Sequence, residues 1–242
     1  MITNADNIKF RASQIGKIMT NPKTNEKKEA GDPSEGAKTY CTELFINLKY
    51  GRYKDIESKY ITKGLEVEQD SINMFARVSN TFVVKNEQYF ENDYFTGTPD
   101  IILPDSILDV KSVWDLFTFY SNHPDKIKKQ YAYQLLTYMD LTGRKKSALE
   151  YCLITTPEML IMDELGRLQW KMGIIDYSNP IFVEASEKLE KNLRFDDIPE
   201  TERILEVPVE YDETVINEMK RKVELCRYWM NKELFKVVKV AV

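Results

Sequence analysis

The stretch TGTPDIILPDSILDVKS, residues 96–112, constrains the fold of this 242-residue chain more than any other. Two apolar runs flank the turn-forming pair Pro104-Asp105, the pattern of a tight β-hairpin. Successive side chains of a strand point to opposite faces, so Asp109 and Lys111 share a face and Val110 points the other way, into the core. Asp100 lies on the preceding strand, close enough across the hairpin to converge with Asp109.

Two carboxylates and a lysine so placed suit Mg²⁺, which takes oxygen ligands at ~2.0–2.1 Å together with waters and substrate phosphate. Lys111 beside such a metal can orient or activate an attacking water, or steady charge developing on a phosphate. Taken alone, a short D…DxK pattern has a plain alternative, a solvated strand edge with charges at alternate positions. Three features favour the chemical reading. The motif falls on the second and third strands of a meander. An upstream helix, KGLEVEQDSINMF, carries Glu68 four residues after Gly64. A downstream helix, KKQYAYQLLTYM, places Gln130, Gln134, Thr137 and Tyr138 near one face. Glu66, beside Glu68, reads as an exposed helix charge.

Composition removes other mechanisms. The single histidine, His123, precedes Pro124 in an expected loop, and no GxSxG elbow supplies a serine for a triad. No P-loop or GxGxxG is present. Cys41, Cys152 and Cys226 are dispersed and odd in number, which argues against disulfides, structural zinc and a four-cysteine iron–sulfur cluster; they read as small core residues. The formal net charge of −5 means that any nucleic-acid contact must use local basic surfaces on an acidic whole. No run approaches the ~18 apolar residues of a membrane span and the N-terminus lacks a secretory pattern, so the expected location is the cytoplasm.

Along the chain, Ser13–Met19 is expected as a short helix with Ser13 as N-cap, and Asn21–Lys38 as a mobile loop. Helices are expected over Thr39–Leu48, Gly64–Val78, Ile127–Leu141, Asn179–Leu193 and Asp212–Phe235. Strands are expected over Asn80–Phe90, Tyr94–Leu103, Ser106–Trp114 and Ala148–Thr155, with VPVEY extended. Ile216, Met219, Val223, Cys226 and Met230 form a stripe on the last helix, for packing on the parent core or, alternatively, for an oligomer contact. The reading is an α/β restriction-endonuclease-like fold with a central mixed sheet flanked by helices. It forms a single domain over 1–242, with a core at about 36–156 and a helical C-terminal extension at about 157–242.

Four blocks in order, RASQIG, KGLEVEQDSINMF, GTPD with LDVKS, and YAYQLLTYM, resemble the phage lambda exonuclease and YqaJ-type viral recombinase nucleases of the PD-(D/E)XK superfamily. They span roughly residues 11 to 140. The resemblance implies that Asp100, Asp109, the Val110 carbonyl and Glu68 hold one or two Mg²⁺ (or Mn²⁺) ions, that Lys111 is the catalytic lysine, and that Gln134 is the glutamine of the helix after the strand. Two positions depart from the family: Asp109 stands where Glu is common, one methylene longer, and Arg11 replaces Thr or Ser. Ser13 is either a plain N-cap or a ligand of a DNA 5′-phosphate, to which Arg11 could add a charge pair.

Trp114, Phe117, Phe119 and Tyr120, followed by Lys126, Lys128 and Lys129, could stack on bases and neutralise phosphates. The plain alternative is that these aromatics are core and the lysines a solvated face. Lys23, Lys27 and Lys28 offer the same choice. The resemblance further implies a ring-shaped trimer that degrades one strand of duplex DNA from a free 5′ end, with a single-strand annealing protein as partner and no membrane association. The expected function is thus metal-dependent 5′-to-3′ DNA exonuclease; the alternatives are an endonuclease with the same centre and a catalytically silent DNA-binding or assembly protein.

Overall fold

The structure, a computed structural model, describes residues 2–29, 31–55, 58–122 and 126–236. His123 and Pro124 lie outside the described residues. In chain order the elements are β1 (Phe10–Arg11), a 3₁₀ turn (Ala12–Lys17), α1 (Asn25–Glu29), α2 (Glu35–Tyr50), α3 (Lys59–Glu66), α4 (Glu68–Ser79), β2 (Phe90–Glu91), β3 (Phe95–Gly97), β4 (Ile101–Ile102), β5 (Ser106–Ser112), α5 (Leu116–Ser121), α6 (Lys129–Thr142), β6 (Lys146–Cys152), α7 (Glu158–Met172), α8 (Pro180–Lys191), β7 (Ile204–Glu210) and α9 (Glu213–Met230).

Among the described residues the strands form two mixed sheets. The larger has the order β4-β5-β6-β7, with β5 and β6 parallel and both outer pairs antiparallel. The smaller has the order β1-β3-β2. A parallel pair needs a crossover, and α6 provides it between β5 and β6. Alternation on β5 and β6 then builds two cores. Ile107, Leu149 and Tyr151 pack with Leu135 and Met139 of α6 in the main cluster. Leu108, Val110, Ala148 and Cys152 turn the other way, onto Ile72, Met74 and Phe75 of α4. This is the expected α/β arrangement of a mixed sheet flanked by helices. The stripe Ile216, Met219, Val223, Cys226 and Met230 of α9 is buried in the main cluster, as the packing reading expected. All three cysteines are free and buried. Among the described residues no helix is long and apolar enough to cross a membrane.

Several expected boundaries give way to local chemistry. Of Asn80–Phe90 only Phe90, with Glu91, enters a ladder; residues 81–89 run without one. Tyr94–Leu103 is interrupted at 98–100, where Pro99 has no N–H to give, and its halves β3 and β4 join different sheets. The helix expected over Gly64–Val78 breaks at Val67 (φ −105°, ψ 12°), a buried residue that ends α3 and starts α4. Asn21–Lys38 is not loop throughout: it contains α1, and α2 starts at Glu35, because Ser34 caps it by accepting from the Ala37 N–H at 3.1 Å. Ser13 is not an N-cap; the turn there is 3₁₀ and Arg11 occupies the cap position. The aromatic stretch after Trp114 folds as α5, whose cap Asp115 accepts from the Thr118 N–H at 2.7 Å.

Glu150 lies between Ala148 and Cys152 on the α4 face of β6, is 0% exposed, and is paired across the ladder with Glu206 of β7. Burial first, and then Glu206, push its carboxyl up to about 8. A carboxyl raised in the folded state binds more protons there than in the unfolded chain. Its stabilising contribution is therefore full below the unfolded value of ~4.3 and is lost as pH rises through the folded value. Glu150→Gln should flatten the decline of stability between pH 5 and pH 9, by at most about 1 kcal/mol per pH unit. Urea denaturation across that range checks this, and parallel pH profiles for variant and wild type would contradict it.

Candidate active site

The hairpin of the central sheet sets the site. Ile101 pairs with Leu108 across β4 and β5, which brings Asp100 opposite Asp109. The Asp100 Oδ2 accepts from the Val110 N–H at 2.7 Å. Its backbone is held from outside the sheet: the Asn86 N–H donates to the Asp100 carbonyl at 2.7 Å, and the Asn86 side chain donates to the Pro99 carbonyl at 2.9 Å. Asp109 is 1% exposed, on the α6 face. Gln134 of α6 donates to its Oδ1 at 2.9 Å and contacts the Tyr138 hydroxyl at 3.1 Å. Lys111 Nζ lies 2.6 Å from Asp109 Oδ2, an ion pair without the angle of a directed hydrogen bond.

Asp100 and Lys111 of this group line a cavity of ≈ 580 Å³ together with Glu68, Val110 and Trp114 among others, with Asp109 and Gln134 directly behind them. Burial opposes the charge of Lys111, but Asp109 and Asp100 outweigh it and push its pKa up, so the ammonium is retained. Burial and then Asp109 push the Asp100 carboxyl up to about 7. Burial and then Asp109 also raise the Tyr138 phenol, which stays protonated.

An Asp100 carboxyl of raised proton affinity crowded against Asp109, with no histidine or cysteine lining the cavity among the described residues, fits a hard divalent cation. Among the described residues no three His, Cys, Asp or Glu side chains converge closely enough to enclose a metal by themselves. Mg²⁺ does not require that, since it keeps waters and substrate oxygens in its shell. Glu68 faces the cavity, but Lys85 Nζ engages its Oε2 at 2.6 Å.

The structure thus brings Asp100, Asp109, Lys111, Gln134, the Val110 backbone and Glu68 to one place. Trp114 and Lys128 line the same cavity. Arg11 and Ser13 line a separate cavity of ≈ 320 Å³ with Tyr138, and Ser13 shares a further one of ≈ 440 Å³ with Lys17, Tyr131 and Gln134. Lys126 and Lys129 are exposed and outside these cavities. Glu66 is exposed, as expected. The aromatics divide: Phe119 is buried, while Phe117 and Tyr120 are exposed. Lys85, Asn86, Tyr131 and Tyr151 were not found by sequence reasoning. The first two belong to a segment without periodicity, and their partners are 13 to 17 residues away. The tyrosines read only as helix and strand apolar positions, yet Lys111 Nζ stands 5.7 Å from the Tyr131 ring centroid.

Two glycines permit the close packing around this cluster. A Cβ on Gly97 would fall 2.6 Å from Tyr138 Cε1 and 3.1 Å from Ala12 Cβ. A Cβ on Gly16 would fall 3.0 Å from Gln130 Cβ. The 3₁₀ turn and β3 therefore lie flush on α6, which fixes Gln134 and Tyr138 over Asp109. Gly97→Ala should displace the Tyr138 ring and destabilise the protein by about 1–3 kcal/mol. An unchanged urea midpoint would show that the close approach is not needed.

No protein-family model matches the chain, and no curated protein is similar to it. Solved structures are. A phage related exonuclease from Haemophilus somnus 129PT superposes with a TM-score of 0.73 at 25% identity, covering 96% of this chain and 97% of that one. An alkaline exonuclease from Laribacter hongkongensis gives 0.64 at 15% identity, covering 98% and 94%. The same enzyme in complex with dAMP gives 0.60 at 17% identity, covering 99% and 98%. Over nearly its whole length the chain thus shares its fold with a phage related exonuclease and an alkaline exonuclease.

Proposed function

We propose that the protein is a Mg²⁺-dependent DNA exonuclease that hydrolyses one strand of duplex DNA from free ends, 5′ to 3′. The observation that carries this reading is the cluster of Asp100, Asp109, Lys111 and Gln134, of which Asp100 and Lys111 line the cavity, in a fold shared with exonucleases. The Laribacter enzyme forms a complex with dAMP, which supports a nucleotide ligand for a chain of this fold.

Asp100, Asp109 and the Val110 carbonyl, with Glu68 once released from Lys85, would hold Mg²⁺ or Mn²⁺, which when bound neutralises phosphate charge and favours deprotonation of a neighbouring water. Lys111, kept charged, faces the cavity and would orient the attacking water or stabilise charge on the phosphate oxygens. Gln134 holds Asp109 in one rotamer through its Oδ1. Trp114 would stack on a base and Lys128 would meet a phosphate at the cavity mouth, with Lys126 and Lys129 nearby on the chain. Arg11 and Ser13 beside Tyr138 would receive a 5′-phosphate. From the sequence we infer one nuclease domain spanning the chain and a cytoplasmic location, and, on the resemblance alone, a ring-shaped trimer working with a single-strand annealing protein.

The test uses linear duplex labelled separately at each end and relaxed closed circles, in Mg²⁺ and in EDTA, with Asp109→Ala and Lys111→Ala beside wild type. Progressive loss from 5′ ends is expected in Mg²⁺ only, with circles intact. Both variants should fall by at least about a hundredfold. Cut circles would instead establish an endonuclease. Intact DNA in Mg²⁺ and in Mn²⁺ would leave a binding or assembly protein.

A further inference from the structure

Lys63 is 1% exposed, in the interior of α3, where a solvated lysine or an apolar residue would be ordinary. Its Nζ donates to the Trp114 backbone carbonyl at 3.2 Å. It also stands 5.5 Å from the Trp114 ring centroid and 5.3 Å from that of Phe195. Burying an amine is costly, and here burial lowers its pKa to about 7 against the opposing pull of Asp115, the cap of α5. One turn earlier, Lys59 lies 4.6 Å from the Trp114 ring centroid and pairs with Glu164 of α7 at 2.6 Å. Tyr60 meets Trp114 edge-to-face, 5.3 Å between centroids at 82°. The outcome is a wall of the catalytic cavity formed by Tyr60, Ile61, Leu65 and Trp114, with Tyr60, Ile61 and Leu65 open to solvent.

We propose that Lys63 is a positioning residue: by donating to the Trp114 carbonyl from inside the fold, it fixes the turn after β5 and so holds the aromatic wall against which a nucleobase of the DNA strand packs. The proposal rests on the reading of the cavity as a DNA-hydrolysing site. Lys63 itself touches no substrate. Its contribution is the N–H donor rather than charge, and a shorter neutral donor should replace it. Nucleobases of every kind present a π-face, so the wall favours strand engagement without sequence preference.

The experiment compares wild type, Lys63→Met and Lys63→Gln as full chains, each alone and with Trp114→Ala. Readouts are kcat and KM on linear duplex, DNA affinity in EDTA, and melting temperature. Lys63→Met removes the donor and should raise KM and the Kd for DNA about five- to tenfold, with kcat within about twofold. Lys63→Gln should recover most of the affinity. In the Trp114→Ala background Lys63→Met should add nothing further. Lys63→Leu replaces Lys63→Met should the latter not fold. KM unchanged by loss of the donor, equal damage from Met and Gln, or effects additive with Trp114→Ala would each overturn the proposal. A wild type that neither cuts nor binds DNA removes the underlying functional reading, and the proposal with it, and is recognised before any variant is compared.

Discussion

Asp109 is a carboxylate at 1% exposure in the middle of a sheet, and an ionised carboxylate left there without partners would cost several kcal/mol. Lys111 and Gln134 are its answer, one from the same strand face and one from the helix above. Most of the architecture serves that arrangement. β5 must be buried on both sides, so it needs α6 over Asp109 and α4 under Val110. α6 must lie close enough for an amide to reach Asp109, so the surfaces that meet it are pared down at Gly16 and Gly97. Removing either partner would leave a buried charge short of compensation, which is more damaging than never having placed it there.

The same strand separates stability from chemistry. Leu108 and Val110 belong to the α4 core, while Asp109 faces α6 and Lys111 lines the cavity. Asp100 joins them by backbone geometry: the interruption at Pro99 frees it from the ladder, Asn86 pins its peptide, and its side chain returns to the Val110 N–H. A segment that fails to form a strand thus ties down a carboxylate of the candidate site. The wall around Trp114 follows a similar logic, with a buried amine rather than an amide as the tie.

The pairing of Asp109 with Lys111 and the opposite direction of Val110 were legible because strand alternation has a period of two and needs no tertiary knowledge. Gln134 was legible because helical spacing put it on one face with Tyr138. The α9 stripe was legible for the same reason. Lys85, Asn86 and Lys63 were not, since each acts on a residue far along the chain and none belongs to a repeating pattern. The split of Tyr94–Leu103 between two sheets was hidden because apolar runs on both sides of Pro99 look like one strand until their partners are known. Of the two readings of Ser13, the cap, which its residue type favours, fails because Arg11 holds that position; Ser13 lines a cavity instead.

We infer that Asp100 and Asp109 form the seat of a divalent cation. Equilibrium binding of Mn²⁺ to the full chain without DNA, followed by calorimetry or electron paramagnetic resonance in wild type and in Asp109→Asn, is the decisive experiment. Wild type should bind saturably, and binding should weaken at least about tenfold in a variant with an unchanged fold. Equal binding by the two proteins, or none by wild type, would contradict it.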